Sequence, residues 1–519
     1  MLRIDTQGQR LPLHGTLATR EIERSGDCEG ADDALIERAG WACARLGAAI
    51  APHARQVWVF VGPGNNGADG LHAAAALAQH GRQVRVILPG GLPVSSKSSS
   101  VGRALAHAQS QGVAVVNDGT AAIDTQCLVI DALFGLGLTR PLAGAFAQAV
   151  AAINAHPGIR LAVDLPSGLY DSGASPGAGG AVRATHTLTL LTLKPALFTG
   201  AGRDHCGELW WDNLGVSATD PPQAWLLGCA DAGLPERQHA QHKGSFGDLI
   251  VVGGDHGMGG AARLAAGAAV VAGAGRVYLC PLSAECGLGL QAEVMLRDLA
   301  FAQDPPVLRA STVVAGCGGG AAMAALLPAL LAHTHRLVLD ADALNAVAAD
   351  PALQRQLRTR GARGQATVLT PHPLEAARLL SSAVESVQAD RLASAVALAE
   401  QMDAVVVLKG AGSVIARTGE LPVVCGRGGP ALASAGTGDV LAGWLGGTWV
   451  QELAGRNETQ AALRSAERAV WWHAVAGEAG GTYLPLPAQN LISAMQRMAL
   501  TGSAPLACAG RLLGAAPPG

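Results

Sequence analysis

Short apolar runs alternate along the first part of the chain with Ala-rich segments whose apolar residues follow helical spacing. The run at 57–61 is β-branched and aromatic, which is typical of a buried strand. Further runs of this kind lie at residues 84–88, 127–130, 160–163 and 185–193. Helical segments between them lie at 101–109 and 141–155. This alternation predicts an α/β domain built on a parallel sheet.

A second series of strands begins after a polar connector that contains prolines. The first alternation stops past Trp211, and we place the boundary between residues 219 and 220. The second series predicts a helix at 261–272 and strands at 249–252, 276–280, 312–315, 337–339, 368–369 and 405–408. Its strands end in polar or glycine loops, which is how an open α/β sheet builds a nucleotide site along one edge. The sequence therefore predicts two α/β domains, 1–219 and 220–519.

The glycine loop after the first strand carries unusual side chains. Residues 62–70 read Gly-Pro-Gly-Asn-Asn-Gly-Ala-Asp-Gly and precede an Ala-rich helix expected from Leu71. Strand, glycine loop and helix form the phosphate-binding arrangement of nucleotide folds, yet the spacing matches neither G-x-G-x-x-G nor a Walker loop. The asparagines and the aspartate add donors and acceptors that a plain pyrophosphate loop does not need.

Acidic residues follow two later strands of this domain. Asp131 begins the segment D-A-L-F-G-L-G-L-T-R-P, and Asp164 begins D-L-P-S-G. Because ligands bind at the carboxyl ends of parallel strands, we expect four side chains to converge at one edge of the sheet: Asn66, Asp131, Asp164 and Ser167. Oxygen-rich side chains there suit a hard monovalent or divalent cation. The alternative is that the two acids merely cap the helices that follow them.

The stretch 433–443 of the second domain combines a Gly-Thr-Gly turn, Asp439 and the start of a helix. Unpaired backbone N–H groups and the helix dipole at such a turn form a hole for a phosphate, or for the charge that develops as phosphate moves. An aspartate at the edge of this hole is suited to act as a base on an attacking hydroxyl. The alternative is a glycine-rich turn with Asp439 as the helix N-cap.

Two histidines and the few lysines give further candidates. His372 lies between two prolines, which favours a substrate contact over a core position, whereas His473 is expected to be a packing residue. Only four residues are lysine, at 97, 194, 243 and 409, in a chain that otherwise uses arginine. Such a chain can retain lysine where a compact ammonium is needed, although chance retention explains the pattern equally well.

Composition argues against several classes of protein. The net charge of −3 gives no sign of a nucleic-acid-binding surface. No apolar run approaches the roughly 20 residues that a membrane-spanning helix needs. The ten cysteines form no C-x-x-C pair and no metal-ligand spacing. That pattern argues against a zinc site and favours a reducing cytoplasm.

The motifs resemble those of a known enzyme family. The N-terminal half, with G-P-G-N-N-G-A-D-G, D-A-L-F-G-L-G and V-D-L-P-S-G, is similar to the NAD(P)H-hydrate epimerases. The C-terminal half, with H-K-G-S-F-G, T-P-H-P-L-E, K-G-A-G and G-T-G-D-V-L-A-G, is similar to the ADP-dependent NAD(P)H-hydrate dehydratases. The resemblance covers residues 15–498 and implies a Rossmann-like three-layer αβα domain followed by a ribokinase-like α/β domain.

This resemblance implies the repair of hydrated nicotinamide cofactors. The (R) and (S) forms of NAD(P)H-hydrate would be interconverted, and the S form would be dehydrated to NAD(P)H as ADP yields AMP and phosphate. The implied partners are hydrated NADH or NADPH and ADP, with K⁺ in the first domain and Mg²⁺ in the second. We expect a homo-oligomer in the cytoplasm, with neither nucleic acid nor a membrane as a partner.

The resemblance also implies individual site residues. The catalytic residues would be Asp164, as acid/base, and Asp439, and the K⁺ ligands would be Asn66, Asp131 and Ser167. Contacts to the hydrated dinucleotide in the first domain would come from Asn65, Asn66, Gly67, Ala68, Asp69, Gly135, Leu136, Gly137, Leu138, Thr139, Arg140, Pro141 and Asp164. Contacts to the hydrate in the second would come from Ala261, Gly318, His372 and Asp439. The adenine nucleotide would contact Lys409, Gly410, Ala411, Gly412, Ser413 and Gly438.

Some positions depart from the family pattern. Ala68 and Cys317 stand where glycine and proline are usual, and Gly429 stands where asparagine is common. We expect these changes to affect details of binding and not the reaction. Two rival functions remain: a ribokinase-like kinase fused to a Rossmann-like domain, and a non-catalytic nucleotide-binding protein. The first does not explain the N-N-G-A-D and P-H-P-L-E loops, and the second has no need of acids at three strand ends.

Overall fold

The computed structural model describes residues 1–5, 8–27, 33–91, 99–116, 126–218, 220–287, 289–452 and 457–501. The chain divides into two compact units, one built from residues 1–5 and 12–224 and the other from 6–11 and 225 onward. The boundary between 219 and 220, placed from the sequence, stays a prediction.

A mainly parallel sheet forms the centre of the first unit. The strands in this part of the chain are β1 (Leu2–Arg3), β2 (Leu11–Leu13), β3 (Gln56–Val61), β4 (Gln83–Ile87), β5 (Ala114–Val116), β6 (Leu128–Ala132), β7 (Arg160–Val163), β8 (His186–Leu190) and β9 (Glu208–Asp212). The helices are α1 (Thr16–Asp27), α2 (Ala34–Ile50), α3 (Asn65–Gln79), α4 (Ser100–Ser110), α5 (Ala145–Ala155) and α6 (Gly202–His205). The strand order is β1-β9-β8-β7-β6-β3-β4-β5. Among the described strands of this sheet, the edge strand β1 is antiparallel to its neighbour and the others are parallel.

Strand β3 shows why helices cover both faces of this sheet. Its side chains alternate between faces, so that Val57 and Val59 join a core with α2 and α3. Trp58 and Phe60 join a second core that contains Ile153 of α5. Both faces of the strand are apolar, as a parallel sheet covered on two sides requires. The predicted three-layer α/β architecture of this part of the chain is therefore confirmed.

Helix α3 begins earlier than the sequence predicted, at Asn65 instead of Leu71. Gly64 is its N-cap with an extended backbone, so the Asn-Asn-Gly-Ala-Asp segment forms the first turns of the helix. The helix can start there because Gly67 lacks a side chain: a methyl group on it would lie 2.0 Å from the Gly62 carbonyl oxygen. Ala68 is helical and fully buried, which meets the condition under which its extra methyl is tolerated.

A larger sheet forms the centre of the second unit. The strands here are β10 (Ala224–Leu226), β11 (Asp248–Gly253), β12 (Arg276–Pro281), β13 (Val294–Leu296), β14 (Thr312–Ala315), β15 (Arg336–Leu339), β16 (Ala366–Leu369), β17 (Val405–Leu408), β18 (Val414–Ala416) and β19 (Val423–Val424). The strand order is β13-β12-β11-β14-β15-β16-β17-β18-β19-β10-β2, and β13 to β17 are parallel. The helices are α7 (Gly259–Ala272), α8 (Pro305–Ala310), α9 (Met323–His333), α10 (Ala341–Ala349), α11 (Pro351–Arg358), α12 (Pro373–Leu380), α13 (Val384–Ala389), α14 (Arg391–Met402), α15 (Thr437–Trp449), α16 (Glu458–Gly477) and α17 (Ala488–Thr501).

Close packing of α7 against α15 positions the start of α15. A methyl group on Gly443 would lie 2.0 Å from the carbonyl oxygen of Ala265, so only glycine allows the two helices to approach this closely. Helix α15 also packs on β14 and β15, which brings its first turn to their carboxyl ends. Among the described residues, we find no helix that combines the length and the hydropathy of a membrane span.

Candidate active sites

A cavity of about 440 Å³ in the first unit is lined by residues that follow β3, β6, β7 and β8. Most of the residues predicted to contact the dinucleotide line it, namely Asn65, Asn66, Asp69, Gly135, Leu136, Gly137, Leu138, Thr139, Arg140 and Asp164. Gly67, Ala68 and Pro141 are not among the lining residues. Of the four side chains expected to converge at this edge of the sheet, Asn66 and Asp164 line the cavity, whereas Asp131 and Ser167 are not among the lining residues.

Asp164 directly follows β7 and is held by a buried lysine. Its φ of 65° is unusual for a residue with a side chain, and strain of this kind, roughly 1–3 kcal/mol, tends to persist at functional sites. Its carboxylate pairs with the Lys194 ammonium, which also donates to Thr189 Oγ1 at 3.0 Å and to the Leu190 carbonyl at 2.6 Å. Burial lowers the pKa of Lys194, and the charge of Asp164 opposes that change. All three ammonium protons are therefore used, which fixes the carboxylate at the cavity wall.

Asp69 and Asn66 present two other polar groups to this cavity. Burial, followed by the negative charges of Asp164 and Glu23, raises the pKa of Asp69 well above its ordinary value. The amide oxygen and nitrogen of Asn66 are buried and have no hydrogen-bond partner among the described residues. A methyl group on Gly135 would lie 3.1 Å from Asp164 Oδ2 and 3.3 Å from Asn66 Oδ1, so glycine keeps both oxygens open on one side.

Asp131 and Ser167 form a buried pair beneath the loop that begins after β6. The hydroxyl of Ser167 donates to Asp131 Oδ1 at 2.6 Å, and its backbone N–H donates to Asp131 Oδ2 at 2.8 Å. The backbone N–H of Leu133 also donates to this carboxylate. Burial raises the pKa of Asp131 to about 6, although these hydrogen bonds oppose the change. The structure therefore brings together two of the three residues predicted to bind the cation.

The Gly-Thr-Gly-Asp turn lies at the start of α15 in the second unit. Gly436 is the N-cap, with a φ of 87°, and Asp439 lies in the first turn, so the alternative in which Asp439 is the N-cap is wrong. Burial, and next the charge of Asp340, raises the pKa of Asp439 to about 6. His473, expected to be a packing residue, donates from Nε2 to the Thr437 carbonyl at 2.9 Å. Since burial lowers the pKa of His473 to about 4, it braces the turn as a neutral ring.

Lys409 and Asp340 form an ion pair beside this turn. Lys409 Nζ lies 2.6 Å from Asp340 Oδ1, and the hydroxyl of Thr370 donates to the same oxygen at 2.7 Å. A methyl group on Gly438 would lie 3.3 Å from Lys409 Nζ, so the ammonium faces the turn. Burial lowers the pKa of Lys409, but the charges of Asp340 and Glu375 outweigh it, and the net pKa is raised. The Lys409 ammonium therefore lies between the predicted nucleotide loop, 409–413, and the predicted anion hole at the Gly-Thr-Gly turn.

The turn between β17 and β18 holds the other residues predicted to contact the adenine nucleotide, Gly410, Ala411, Gly412 and Ser413. Arg391 supports this turn from inside the protein. Its Nη2 donates to the carbonyls of Leu408 at 3.2 Å, Lys409 at 3.1 Å and Gly412 at 3.5 Å. Arg391 is only 1% exposed, so its guanidinium is part of the scaffold that shapes the turn.

Gly318 and Ala261, both predicted to contact the hydrate, lie against each other. A methyl group on Gly318, whose φ is 59°, would lie 3.0 Å from Ala261 Cβ and 2.7 Å from the Met258 carbonyl. Cys317 is fully buried, with Sγ 4.0 Å from Asp340 Oδ2. The departure from the family pattern at 317 therefore places a thiol next to the charged groups of the site.

His372 caps α12 and is only half-buried. Its Nδ1 accepts from the backbone N–H groups of Leu374 at 3.1 Å and Glu375 at 3.3 Å. Its Nε2 lies 3.2 Å from Glu375 Oε1. Burial lowers the pKa of His372, and the charge of Lys409 lowers it further. Both ring nitrogens thus serve the histidine's own loop, and its predicted contact with the hydrate stays a prediction.

Comparisons with known proteins follow this division of the chain. Residues 32–196 match the family model described as YjeF-related protein N-terminus, and residues 249–497 match NAD(P)H-hydrate dehydratase. The bifunctional NAD(P)H-hydrate repair enzyme of Coxiella burnetii is 35% identical over 466 residues, which cover 87% of this chain and 92% of that protein. The chain belongs to the family of bifunctional NAD(P)H-hydrate repair enzymes.

The chain is also similar to one other member of the family and to one solved structure. The Escherichia coli K12 repair enzyme is 34% identical over 454 residues, covering 83% of this chain and 84% of that protein. An ADP/ATP-dependent NAD(P)H-hydrate dehydratase from Bacillus subtilis, co-crystallized with ATP and Mg²⁺, is 26% identical and has a TM-score of 0.44. It covers 52% of this chain and 95% of its own. The predicted function, a bifunctional epimerase and dehydratase that repairs NAD(P)H hydrates, is confirmed, whereas the residue roles stay predictions.

Three residues of the repair enzyme's sites were not assigned from the sequence: Lys194, Asp340 and Arg391. The scarcity of lysine was the signal for Lys194, since Lys194 and Lys409 both lie at a site, while Lys243 is exposed. Lys97 lies outside the described residues. Asp340 directly follows a predicted strand, but no pattern in the sequence pairs it with Lys409 or Thr370. Arg391 has no local signal, because it is one of many arginines.

Proposed function

We propose that the first unit interconverts the C6 epimers of NAD(P)H-hydrate at Asp164. The second unit then uses ADP to dehydrate the S form at Asp439, releasing NAD(P)H, AMP and phosphate. The observation that carries this proposal is the meeting, at the start of α15, of a carboxyl group with a pKa of about 6 and the partly buried Lys409 ammonium. Phosphoryl transfer to a hydroxyl needs both a base and fixed positive charge.

The second unit supplies what dehydration requires. Hydroxide is a poor leaving group, and transfer of a phosphoryl group from ADP to the C6 hydroxyl converts it into phosphate, a good one. Asp439 takes the hydroxyl proton as the oxygen attacks, and elimination of phosphate then restores the reduced nicotinamide ring. The amides of the turn and the Lys409 ammonium stabilise the phosphoryl group in flight. Fixed donors of this kind contribute about 3–4 kcal/mol each to lowering a barrier.

The first unit supplies an acid/base group in a shaped cavity. A dehydratase pocket that fixes the C6 hydroxyl accepts one configuration, so the other epimer would accumulate without an epimerase. Asp164 moves the proton in the interconversion, and its bond to Lys194 keeps the carboxylate aimed into the cavity. Asp69, with its raised pKa, is suited to donate a hydrogen bond from a neutral carboxyl group.

A potassium ion fits the residues of the first unit. Asn66 Oδ1 is buried without a partner among the described residues, and a hydrated or bare monovalent cation is a suitable partner for such an oxygen. The two other implied ligands, Asp131 and Ser167, offer a carboxylate and a hydroxyl, so all three residues present oxygen donors. K⁺ would be held by these three residues and, when bound, would supply positive charge that orders the loops after β3 and β6.

A resident magnesium ion does not fit the second unit in the same way. The donor atoms of Cys317, Asp340 and Asp439 lie within 4.8 Å of one another, but Lys409 Nζ already occupies one oxygen of Asp340 at 2.6 Å. Mg²⁺ also prefers oxygen ligands, and a thiol is a poor one. Any Mg²⁺ in the reaction therefore has to rely on the nucleotide's phosphates as its main ligands.

The test is to mix both hydrate epimers with the protein and ADP and to follow the return of reduced-nicotinamide absorbance. Complete conversion of the mixture is expected, and repeating the reaction with ATP establishes the donor. Phosphorylation of a stable alcohol by ATP, without recovery of NADH, would instead support the kinase alternative.

A homo-oligomer and a cytoplasmic location are the remaining parts of the proposal. Light scattering tests the oligomeric state, and cell fractionation tests the location.

A further inference from the structure

Asp340 makes contacts that its position in the fold does not call for. It directly follows β15, is 2% exposed and is the N-cap residue of α10, yet its side chain forms no capping hydrogen bond. An aspartate at an N-cap ordinarily accepts from the first amides of the helix. Here Oδ1 instead accepts from Lys409 at 2.6 Å and from Thr370 at 2.7 Å.

The Asp340 carboxylate also lies close to the proposed base. Asp340 Oδ2 lies 4.0 Å from the Cys317 thiol, and the carboxylate oxygens of Asp340 and Asp439 lie within 4.8 Å of each other. In a buried site, a negative charge at this distance disfavours a second one. Lys409, which could pair with either acid, is held by Asp340. The base is thus close to the lysine without being neutralised by it.

We propose that Asp340 is a positioning residue of the dehydratase site, which anchors Lys409 beside the Gly-Thr-Gly-Asp turn and keeps negative charge against Asp439. This proposal rests on the proposed function, in which Asp439 is the base. Asp340 has two effects in this arrangement. It prevents Lys409 from forming its own ion pair with Asp439, and it makes Asp439 a stronger proton acceptor.

Charged and titratable groups act on Asp439 from three neighbouring segments: Cys317 after β14, Asp340 and Asp342 at the start of α10, and Lys409 after β17. After burial, the charges of Asp340 and Asp342 raise the pKa of Asp439, whereas the Cys317 thiol and Lys409 lower it. His473 is neutral and bonds to the turn's backbone. Removing the charge of Asp340 and removing that of Lys409 should therefore move the pKa of Asp439 in opposite directions.

The experiment measures kcat/KM for the S hydrate with ADP across pH 5–8, because this ratio reports the ionisation of the free enzyme. Asp340→Asn should lower the midpoint of the rising limb by about one pH unit, the size expected on losing a buried neighbouring charge. Lys409→Gln should raise the midpoint, even though it also slows the reaction. Asp340→Glu should restore the midpoint toward the wild-type value, and Thr370→Val, which removes one bond to Asp340 but no charge, should leave it in place.

The outcomes separate this proposal from the function on which it rests. An unchanged midpoint in Asp340→Asn, with normal circular dichroism, would overturn the positioning role and leave only a structural one. If that variant does not fold, Lys409→Gln decides: a raised midpoint supports the proposal, and an unchanged or lowered one overturns it. Asp439→Asn is the reference, because near-normal turnover by that variant would overturn the proposed base itself.

Discussion

The two units each join a lysine to an aspartate at the end of a strand, but they use the pair differently. In the first unit Lys194 pairs with Asp164, which is itself the proposed acid/base. In the second unit Lys409 pairs with Asp340, and the proposed base, Asp439, lies next to the pair without joining it. In the first site the lysine thus holds the proposed catalytic carboxylate itself. In the second site the lysine is held by another aspartate, so it does not neutralise the proposed base.

The pKa values of the two lysines differ in direction for a physical reason. Burial lowers the pKa of Lys194 despite the opposing charge of Asp164. The pKa of Lys409 is raised, because Asp340 and Glu375 together outweigh burial. Phosphoryl transfer needs positive charge that stays in place while anionic oxygens move, whereas epimerisation moves a proton. A lysine that keeps its charge therefore suits the dehydratase site. In the epimerase site the charges of Asp164, Glu23 and Asp69 do not outweigh the burial of Lys194.

The largest expected effect comes from Asp439→Asn, which removes the base and keeps the shape of the turn. Dehydration of the S hydrate should fall by about a thousandfold or more, within the range for loss of a general base. Binding of the hydrate, measured by calorimetry, should remain. Asp350→Asn is the matched control, since Asp350 caps α11 by accepting from Ala352 at 2.7 Å and asparagine caps a helix equally well. Substantial turnover by Asp439→Asn would remove the distinction drawn between the two sites.

The first site is tested by Asp164→Asn, which breaks the pair with Lys194. Epimerisation should slow by about a hundredfold or more on loss of the acid/base group. With an epimer mixture and ADP, about half of the hydrate should then remain unrepaired where spontaneous epimerisation is slow. Chromatographic separation of the two epimers follows this directly. Asp204→Asn, at an exposed acid of the same unit, is the control. Full conversion by Asp164→Asn would show that another group moves the proton.

The sequence predicted the architecture and the strand ends because apolar runs and glycine loops are local signals. The alternation of strands and helices was sufficient for the α/β class. Of the four side chains expected to converge, Asp131 and Ser167 bond to each other, and Asn66 and Asp164 line the cavity. The start of α3 was wrong by six residues, since Asn-Asn-Gly-Ala-Asp reads as a loop and the extended backbone of Gly64 decides where the helix begins.

The ion pairs could not be predicted, because they depend on contacts between distant segments. Lys194 lies 30 residues from Asp164, and Lys409 lies 69 residues from Asp340. Strands β7 and β8 are neighbours in the first sheet, and β15 and β17 flank β16 in the second, so in each case the loops at the carboxyl ends of parallel strands meet. Lys409 pairs with Asp340 and not with Asp439, although the carboxylate oxygens of the two acids lie within 4.8 Å of each other. The spacing of residues along the sequence does not distinguish two acids that lie so close together.

A smaller effect is expected at the turn between β17 and β18, which Arg391 supports in the dehydratase site. Arg391→Lys should raise the KM for ADP about tenfold, since a compact ammonium on a flexible stem lacks the planar fork of donors with which the guanidinium holds the turn. The KM for the hydrate should change little. Arg360→Lys is the matched control: Arg360 is also buried, and it donates to the carbonyls of Leu331 at 2.6 Å and Thr334 at 2.9 Å, away from the turn. Equal changes in both variants would indicate general destabilisation only.

The smallest effect is the pH dependence of the wild-type dehydratase reaction. Asp439 must be ionised to accept a proton, and burial with the charge of Asp340 places its pKa at about 6. Activity should therefore be full well above pH 6, half-maximal near pH 6 and about tenfold lower one unit below the midpoint. Initial rates with the pure S hydrate and saturating ADP measure this limb without any contribution from epimerisation. A rate that is constant between pH 5 and 8 would mean that Asp340 does not raise the pKa of Asp439. The contrast between Asp164, which pairs with a lysine, and Asp439, which does not, would then be structural only.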